Sequence, residues 1–260
     1  MVKSDGATTY FTRDLATIKY RLETWKPQII IYEVGADQKL HFQQVFEAVR
    51  RLGWGEGVEL VHVAHGLIRF AAGKLSTRRG QTVKLEEVLD EAIARAEKLV
   101  GKREAVTKAV GIGAVKYFDL SHQPQTDIIF DWEKMFLLEG NSAPYLQYTY
   151  ARASSVLRKA GVSQLTVDSR QSAVGEEELP ILRYIYRFPE IVEDAAKSYS
   201  PNLLCNYLFD LAQRFNRFYA AVPIIRAKEN RDLRLALTSA TAQVLKNGLT
   251  LLGIATPERL

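Results

Sequence analysis

Three groups of residues in this 260-residue chain have types and spacings suited to chemistry. The first is Gly73-Lys74-Leu75-Ser76-Thr77-Arg78-Arg79-Gly80. No acidic residue lies between Glu59 and Glu86, whereas Arg69, Lys74, Arg78, Arg79 and Lys84 are all basic. A glycine at each end is expected to let the segment move, and the hydroxyls of Ser76 and Thr77 add donors to the cations. Such a segment suits closure over a polyphosphate whose charge shifts during a reaction. A solvated basic loop is the competing reading of the octapeptide taken alone. The second group is Tyr145, Tyr148 and Arg152, at offsets of three and four and therefore on one helical face. Aromatic rings and a guanidinium so placed can stack on unpaired bases and hold phosphate, and no acid occurs from Asn141 to Val167. Packing into a core is the alternative for both tyrosines. The third is His62-Val63-Ala64-His65. Its spacing suggests a metal pair, but no acidic or cysteine ligand stands close by in the sequence, so a structural role at a strand end is expected and no bound metal.

The elements that must position these residues change character along the chain. Thr12 can cap a helix with Leu15, Ile18, Leu22 and Trp25 on one face, stopped by Pro27. Gln28 to Val34 is a short β-branched run of the kind found in buried parallel strands. Gly35-Ala36-Asp37 turns into a second helix bearing Phe42, Val45, Phe46, Val49 and Leu52, ended by Gly53. Val58 to Val63 is another strand, and Leu85 to Leu99 the strongest helix of this half. Strand, helix, strand with short links predicts a parallel sheet covered by helices, with ligands at the carboxyl ends of its strands. The second half loses its strands. Leu146, Tyr150, Ala153 and Leu157 form one stripe, Leu204 through Val222 a second, and Leu233, Leu237, Ala240, Val244, Gly248 and Leu251 a third. The expected fold is therefore α/β followed by all-α. A partial Rossmann-type region spans 1–120, and a region spanning 121–260 carries a helical bundle from about Asp131.

Composition bounds the function. Apolar residues make up 47% and charged residues 25%, as in ordinary soluble proteins. The one cysteine, Cys205, excludes a disulfide framework and a thiolate metal cage. No run approaches a membrane span and Met1 is not followed by a signal-peptide pattern, so a cytoplasmic protein without a membrane partner is expected. A net charge of +5, with its excess in the first half, permits a polyanionic partner.

Several ordered segments carry a resemblance. Ser4-Asp5-Gly6-Ala7-Thr8-Thr9-Tyr10-Phe11-Thr12-Arg13-Asp14, then Gly35-Ala36-Asp37-Gln38-Lys39-Leu40-His41-Phe42, then the basic loop, then Gly140-Asn141-Ser142-Ala143-Pro144-Tyr145-Leu146-Gln147-Tyr148, closely resemble arginyl-tRNA synthetases. Arg231 to Leu237 and Leu252 to Arg259 are similar to the helical anticodon-binding domain of that family. The resemblance runs from Ser4 to Leu260. It implies a class I Rossmann-type catalytic domain followed by an anticodon-binding bundle. It also implies ATP-dependent activation of L-arginine and its transfer to arginine tRNA, with Mg2+ accompanying ATP, in a monomer.

The same resemblance assigns residues. Tyr10 and Asp14 would hold the guanidinium, whose planar fork a carboxylate can meet with two parallel hydrogen bonds. Gln38 would reach the substrate near its α-amino group, and His41 would lie near the nucleotide. Lys74 and Ser76 match the mobile class I signature loop, with Arg78 supplying further charge. Thr77 departs from it by standing where many class I enzymes have a second lysine. Tyr145, Tyr148, Arg152, Tyr219 and Leu260 match positions facing the anticodon loop, where family members often end in Met. A larger departure is that the other class I signature, a His-Ile-Gly-His-like tetrapeptide, should precede Ser4. The chain therefore reads as the C-terminal part of such an enzyme, expected to be inactive alone, or else as a non-catalytic tRNA-binding module derived from one.

Overall fold

The computed structural model describes residues 3–70, 84–161 and 174–260. The basic loop 73–80, and with it Lys74, Ser76, Thr77 and Arg78, lies outside the described residues. The chain divides into two compact units, Met1–Arg69 with Pro124–Ile128, and Phe70–Gln123 with Ile129–Leu260.

In the first unit the leading helix, α1 (Tyr10–Trp25), is capped by Thr9, whose hydroxyl accepts the Thr12 N–H at 3.3 Å. Sequence favoured Thr12 as the cap. Thr9 takes the position because its backbone is extended (φ −73°, ψ 162°), as a capping residue requires. Strand β1 (Ile29–Gly35) leads through a single 3-10 turn, Ala36–Gln38, into α2 (Lys39–Arg51) and then β2 (Glu59–His65). The strands pair in parallel, from Ile29 opposite Glu59 to Gly35 opposite His65. Ile18, Val45 and Val49 form the local core, with Tyr32 and Leu60 packed against them. Helix cover thus falls on the face that carries Ile30 and Tyr32. Because side chains alternate across a strand, Ile29 and Ile31 point the other way and remain 46% and 52% exposed. The isoleucine run predicted burial on both faces. Among the described residues β1 pairs only with β2, and one face is covered. Beyond β2, Asp127 accepts the Leu67 N–H (2.9 Å) and the Arg69 Nε–H (2.9 Å). β3 (Ile68–Phe70) and β4 (Ile128–Phe130) form a second two-stranded sheet.

The second unit is helical: α3 (Leu85–Val100), α4 (Glu104–Leu120), the short α5 (Trp132–Met135), α6 (Ala143–Ala160), α7 (Leu179–Tyr186), α8 (Phe188–Lys197), α9 (Pro201–Ala221) and α10 (Arg231–Leu251). Leu146, Tyr150 and Ala153 of α6 are buried, as are Leu204, Leu208, Leu211, Phe215 and Phe218 of α9. Those two stripes agree with the expected periodicity. The third agrees in part, since Leu251 is 60% exposed while α10 also buries Leu235, Thr238, Thr241, Leu245 and Leu249. Helix α10 packs against α6, α7 and α9 together, so a single stripe cannot describe its burial. Helix α4 has no counterpart in the expected elements for a different reason: its one buried face carries Gly111 and Gly113 beside Val110, Ala114, Tyr117 and Phe118, and glycines inside a helix weaken the signal of both propensity and apolar spacing. No helix among the described residues is long and apolar enough to cross a membrane.

Gly111 shows how closely α4 approaches α3. A Cβ there would meet the Ala92 carbonyl oxygen at 2.8 Å and the Ile93 Cα at 2.9 Å, backbone atoms that cannot swing aside. Helix propensity alone predicts that Gly111→Ala stabilises by roughly 0.5–1 kcal/mol. The packing predicts destabilisation by about 1–3 kcal/mol instead. Urea denaturation followed by circular dichroism decides by the sign of the change.

Candidate nucleic-acid interface and substrate pocket

Helix α6 begins at Ser142, whose hydroxyl accepts the Tyr145 N–H at 3.3 Å, with Pro144 in the first turn. This start fixes which face of α6 turns outward. Tyr148 and Arg152 reach a cleft of about 730 Å3, also lined by Tyr219 of α9 and by Leu260. The Arg152 guanidinium carbon lies 4.7 Å from the Tyr148 ring centroid and 5.1 Å from that of Tyr219. The cation therefore lies within cation–π range of both rings. One of its terminal nitrogens donates to the Asn216 side-chain oxygen at 2.6 Å. Arg103, Arg158, Lys159, Arg226 and Arg259 also line the cleft, with Glu258 as its one acid. Stacking rings beside a concentration of cations suit single-stranded nucleic acid, whose bases stack on aromatics and whose phosphates need countercharge.

The segment that brings Leu260 there is anchored by a buried amide. Gln147 is fully buried, and its NH2 donates to the carbonyls of Ala109 (3.2 Å) and Ala255 (2.7 Å). The Lys116 ammonium donates to the Gly253 carbonyl at 2.7 Å, and Ile254 is buried. Sequence reasoning missed Gln147, because a polar residue beside Leu146 reads as solvent-facing. It also missed Asn216, although Asn216 stands three residues before Tyr219 and so shares its helical face. Tyr145 is placed differently from its partners. It is half-buried, its ring centroid is 5.6 Å from that of Phe209, and its hydroxyl accepts from Asn216 at 3.1 Å. The structure thus brings Tyr148, Arg152, Tyr219 and Leu260 into one cleft and leaves Tyr145 outside its lining.

In the first unit Tyr10 and Asp14 lie four residues apart on α1, with Tyr10 75% exposed. The Asp14 carboxylate meets the His41 imidazole at 2.7 Å, both groups being about one-third exposed. His41 stands in the first turn of α2, its ring edge-on to Phe11 (6.2 Å) and Phe42 (5.3 Å). Gln38 sits exposed where the β1 end passes into α2. Asp14, His41 and Gln38 thus lie at the carboxyl end of β1, where ligands bind in α/β sheets, while Tyr10 stands one turn before Asp14 on α1. His41 and Asp14, read from sequence as belonging to different substrates, share one hydrogen bond. A carboxylate has about four lone-pair sites, so Asp14 can hold the imidazole and still receive a guanidinium. His62 is a structural histidine, its Nε2 lying 3.0 Å from the Val34 carbonyl oxygen, and His65 Nδ1 lies 2.9 Å from that of Gly66. Among the described residues no three His, Cys, Asp or Glu side chains gather as metal ligands.

Comparison with known proteins bears on both regions. Residues 1–132 match the family model described as tRNA synthetases class I (R), catalytic domain, and residues 146–260 match the DALR anticodon binding domain. The arginine–tRNA ligase of Chloroflexus aggregans is 44% identical over 273 residues, which cover 99% of this chain and 47% of that relative. That of Fusobacterium nucleatum is 42% identical over 264 residues, covering 97% of this chain and 46% of its own length. The chain therefore spans about half the length of the curated relatives it matches. Among solved structures, the Thermus thermophilus arginyl-tRNA synthetase aligns with all of this chain and 50% of its own, with a TM-score of 0.88 and 28% identity. The enzyme from Plasmodium falciparum aligns with all of it and 46% of its own, with a TM-score of 0.83 and 26% identity. With both family models matched in order along one chain, and the fold shared from end to end, the chain belongs to the class I arginyl-tRNA synthetase family.

Proposed function

We propose that these residues carry the arginine-recognising part of an arginine–tRNA ligase, over residues 1–120, together with its tRNA-binding domain, over residues 121–260. In this reading the complete enzyme, a cytoplasmic monomer, activates L-arginine with ATP and transfers it to arginine tRNA. Tyr10 and Asp14 hold the guanidinium, Gln38 orients the α-amino end, and His41 stands between the arginine and nucleotide sites. Lys74, Ser76, Thr77 and Arg78 close over the ATP phosphates. Mg2+ arrives with those phosphates, because it commonly binds through substrate oxygens and retained waters, and the described residues supply no ligand cluster of their own. The observation that carries the reading is the convergence of Tyr148, Arg152, Tyr219 and Leu260 on one basic cleft. An alternative, a tRNA-binding module without catalysis, is favoured by one fact: the cleft is built entirely from the second unit.

Three measurements test these assignments. Arg152→Ala should weaken binding of an arginine-tRNA transcript about ten- to a hundredfold, as expected for a lost hydrogen bond to a charged group. It should also flatten the dependence of log K on log salt by about one phosphate contact, with the helical circular dichroism unchanged. Equal affinity at a stated salt concentration would remove Arg152 from the RNA face.

In an enzyme of the relatives' full length bearing these residues, Asp14→Asn should raise the arginine KM about ten- to a hundredfold. A KM for arginine that hardly moves would leave Asp14 as a partner of His41 only.

The 260 residues assayed alone should bind tRNA and show no arginine-dependent ATP–pyrophosphate exchange. Donors pre-organised around the reacting phosphate are usually the largest contribution to such rate enhancements, and a His-Ile-Gly-His-like strand end is not among these residues. Robust exchange free of host synthetase would mean that a substitute ATP site exists.

A further inference from the structure

Asn216 touches no pocket residue that sequence had singled out except Arg152, yet its side-chain amide joins three groups. Its oxygen accepts from Arg152 at 2.6 Å, and its NH2 donates to the Thr149 hydroxyl at 2.9 Å and the Tyr145 hydroxyl at 3.1 Å. We infer that Asn216 is a positioning residue for RNA recognition, holding the Arg152 guanidinium between the Tyr148 and Tyr219 rings so that the cleft is formed before RNA arrives. This inference rests on the RNA-binding reading given above.

The donors and acceptors leave one consistent arrangement. A guanidinium has only donors, so the amide must turn its oxygen toward Arg152. Its NH2 then faces two hydroxyl oxygens, both of which can accept. Thr149 is fully buried and spends its own proton on the Tyr145 carbonyl at 2.9 Å, which leaves its oxygen free to accept from Asn216. Tyr145 and Thr149 thus fix the amide, and the amide fixes the arginine. The spacing of the helices serves the same end. Tyr145, Thr149 and Arg152 rise along one side of α6 at offsets of four and three, and Asn216 and Tyr219 are three apart on α9. Charge decides why an amide suits this position. A carboxylate would hold the guanidinium as well but would cancel the charge that phosphate requires, whereas the neutral amide orients Arg152 and leaves it cationic. An arginine held in its binding geometry also loses less side-chain freedom when RNA binds. Tyr145 accordingly acts through Asn216, which explains why a residue outside the cleft lining shares a face with Tyr148 and Arg152.

A double-mutant cycle on the full 260-residue chain tests this, with binding of an arginine-tRNA transcript read by fluorescence anisotropy at two salt concentrations. Asn216→Ala is expected to weaken binding about three- to tenfold when Arg152 is present and to change little when Arg152 is already alanine. Its salt slope should match that of the unaltered chain, because the arginine keeps its charge. Tyr145→Phe removes only the hydroxyl that braces the amide. It should give a smaller loss that also disappears in the Arg152→Ala background, and it carries the test if Asn216→Ala lowers the helical circular dichroism. An Asn216→Ala loss of equal size in both backgrounds, or no loss while Arg152→Ala weakens binding, overturns the positioning role alone. Unchanged binding in Arg152→Ala overturns the RNA-face reading and this inference together.

Discussion

Helix α6 must bury much of its circumference and still present a cation to solvent. Ala143, Leu146, Gln147, Thr149, Tyr150, Ala153 and Val156 are all turned into the bundle. That leaves a narrow outward strip for Tyr148 and Arg152. A guanidinium beside so much apolar surface would be costly if it lost water without replacement. Here the two tyrosine rings and the Asn216 oxygen replace part of its hydration, and the cleft side stays open. Through these contacts the one side chain ties the outer edge of α6 to α9 at the cleft.

Gln147 meets the complementary demand on the inner side of the same helix. Its buried NH2 is satisfied by two acceptors, while its oxygen has no partner among the described residues. Its two carbonyl partners tie α4 and the segment after α10 to α6. Gly113 makes room, since a Cβ there would come within 3.1 Å of both the Gln147 nitrogen and Ile254. Polar contacts buried among leucines thus set the path by which Leu260 reaches the cleft, a specificity that apolar packing alone does not provide.

The first unit is arranged around a polar contact at a strand end. Asp14 is carried by α1 and His41 by the first turn of α2, and both helices stand on the sheet face holding Ile30 and Tyr32. Phe11 and Phe42 flank the imidazole edge-on, and Phe42 in turn packs against His62. The imidazole is therefore oriented by its neighbours, and the Asp14 carboxylate is held against it.

Much of this was legible in the residues themselves. Apolar periodicity located α2, α3, α6 and α9 and the parallel pair of strands, because spacings of three and four or a β-branched run reflect which side must be buried. The rows Tyr148–Arg152 and Tyr10–Asp14 follow from helical geometry alone. Spacing failed for α4, where Gly111 and Gly113 at buried positions weaken the apolar signal, and in part for α10, which buries a wide arc against three helices. It failed also for isolated polar residues. Whether Asn216, Gln147 or His41 faces water or a partner depends on which element packs opposite, and those partners lie 64, 108 and 27 residues away along the chain. The sequence by itself determined α1, α2, α3, α6, α9 and the paired strands β1 and β2, with the face that each of those helices buries. Only the tertiary structure decided which polar groups meet, because a hydrogen bond depends on distances of a few tenths of an ångström between segments whose separation in sequence carries no such information.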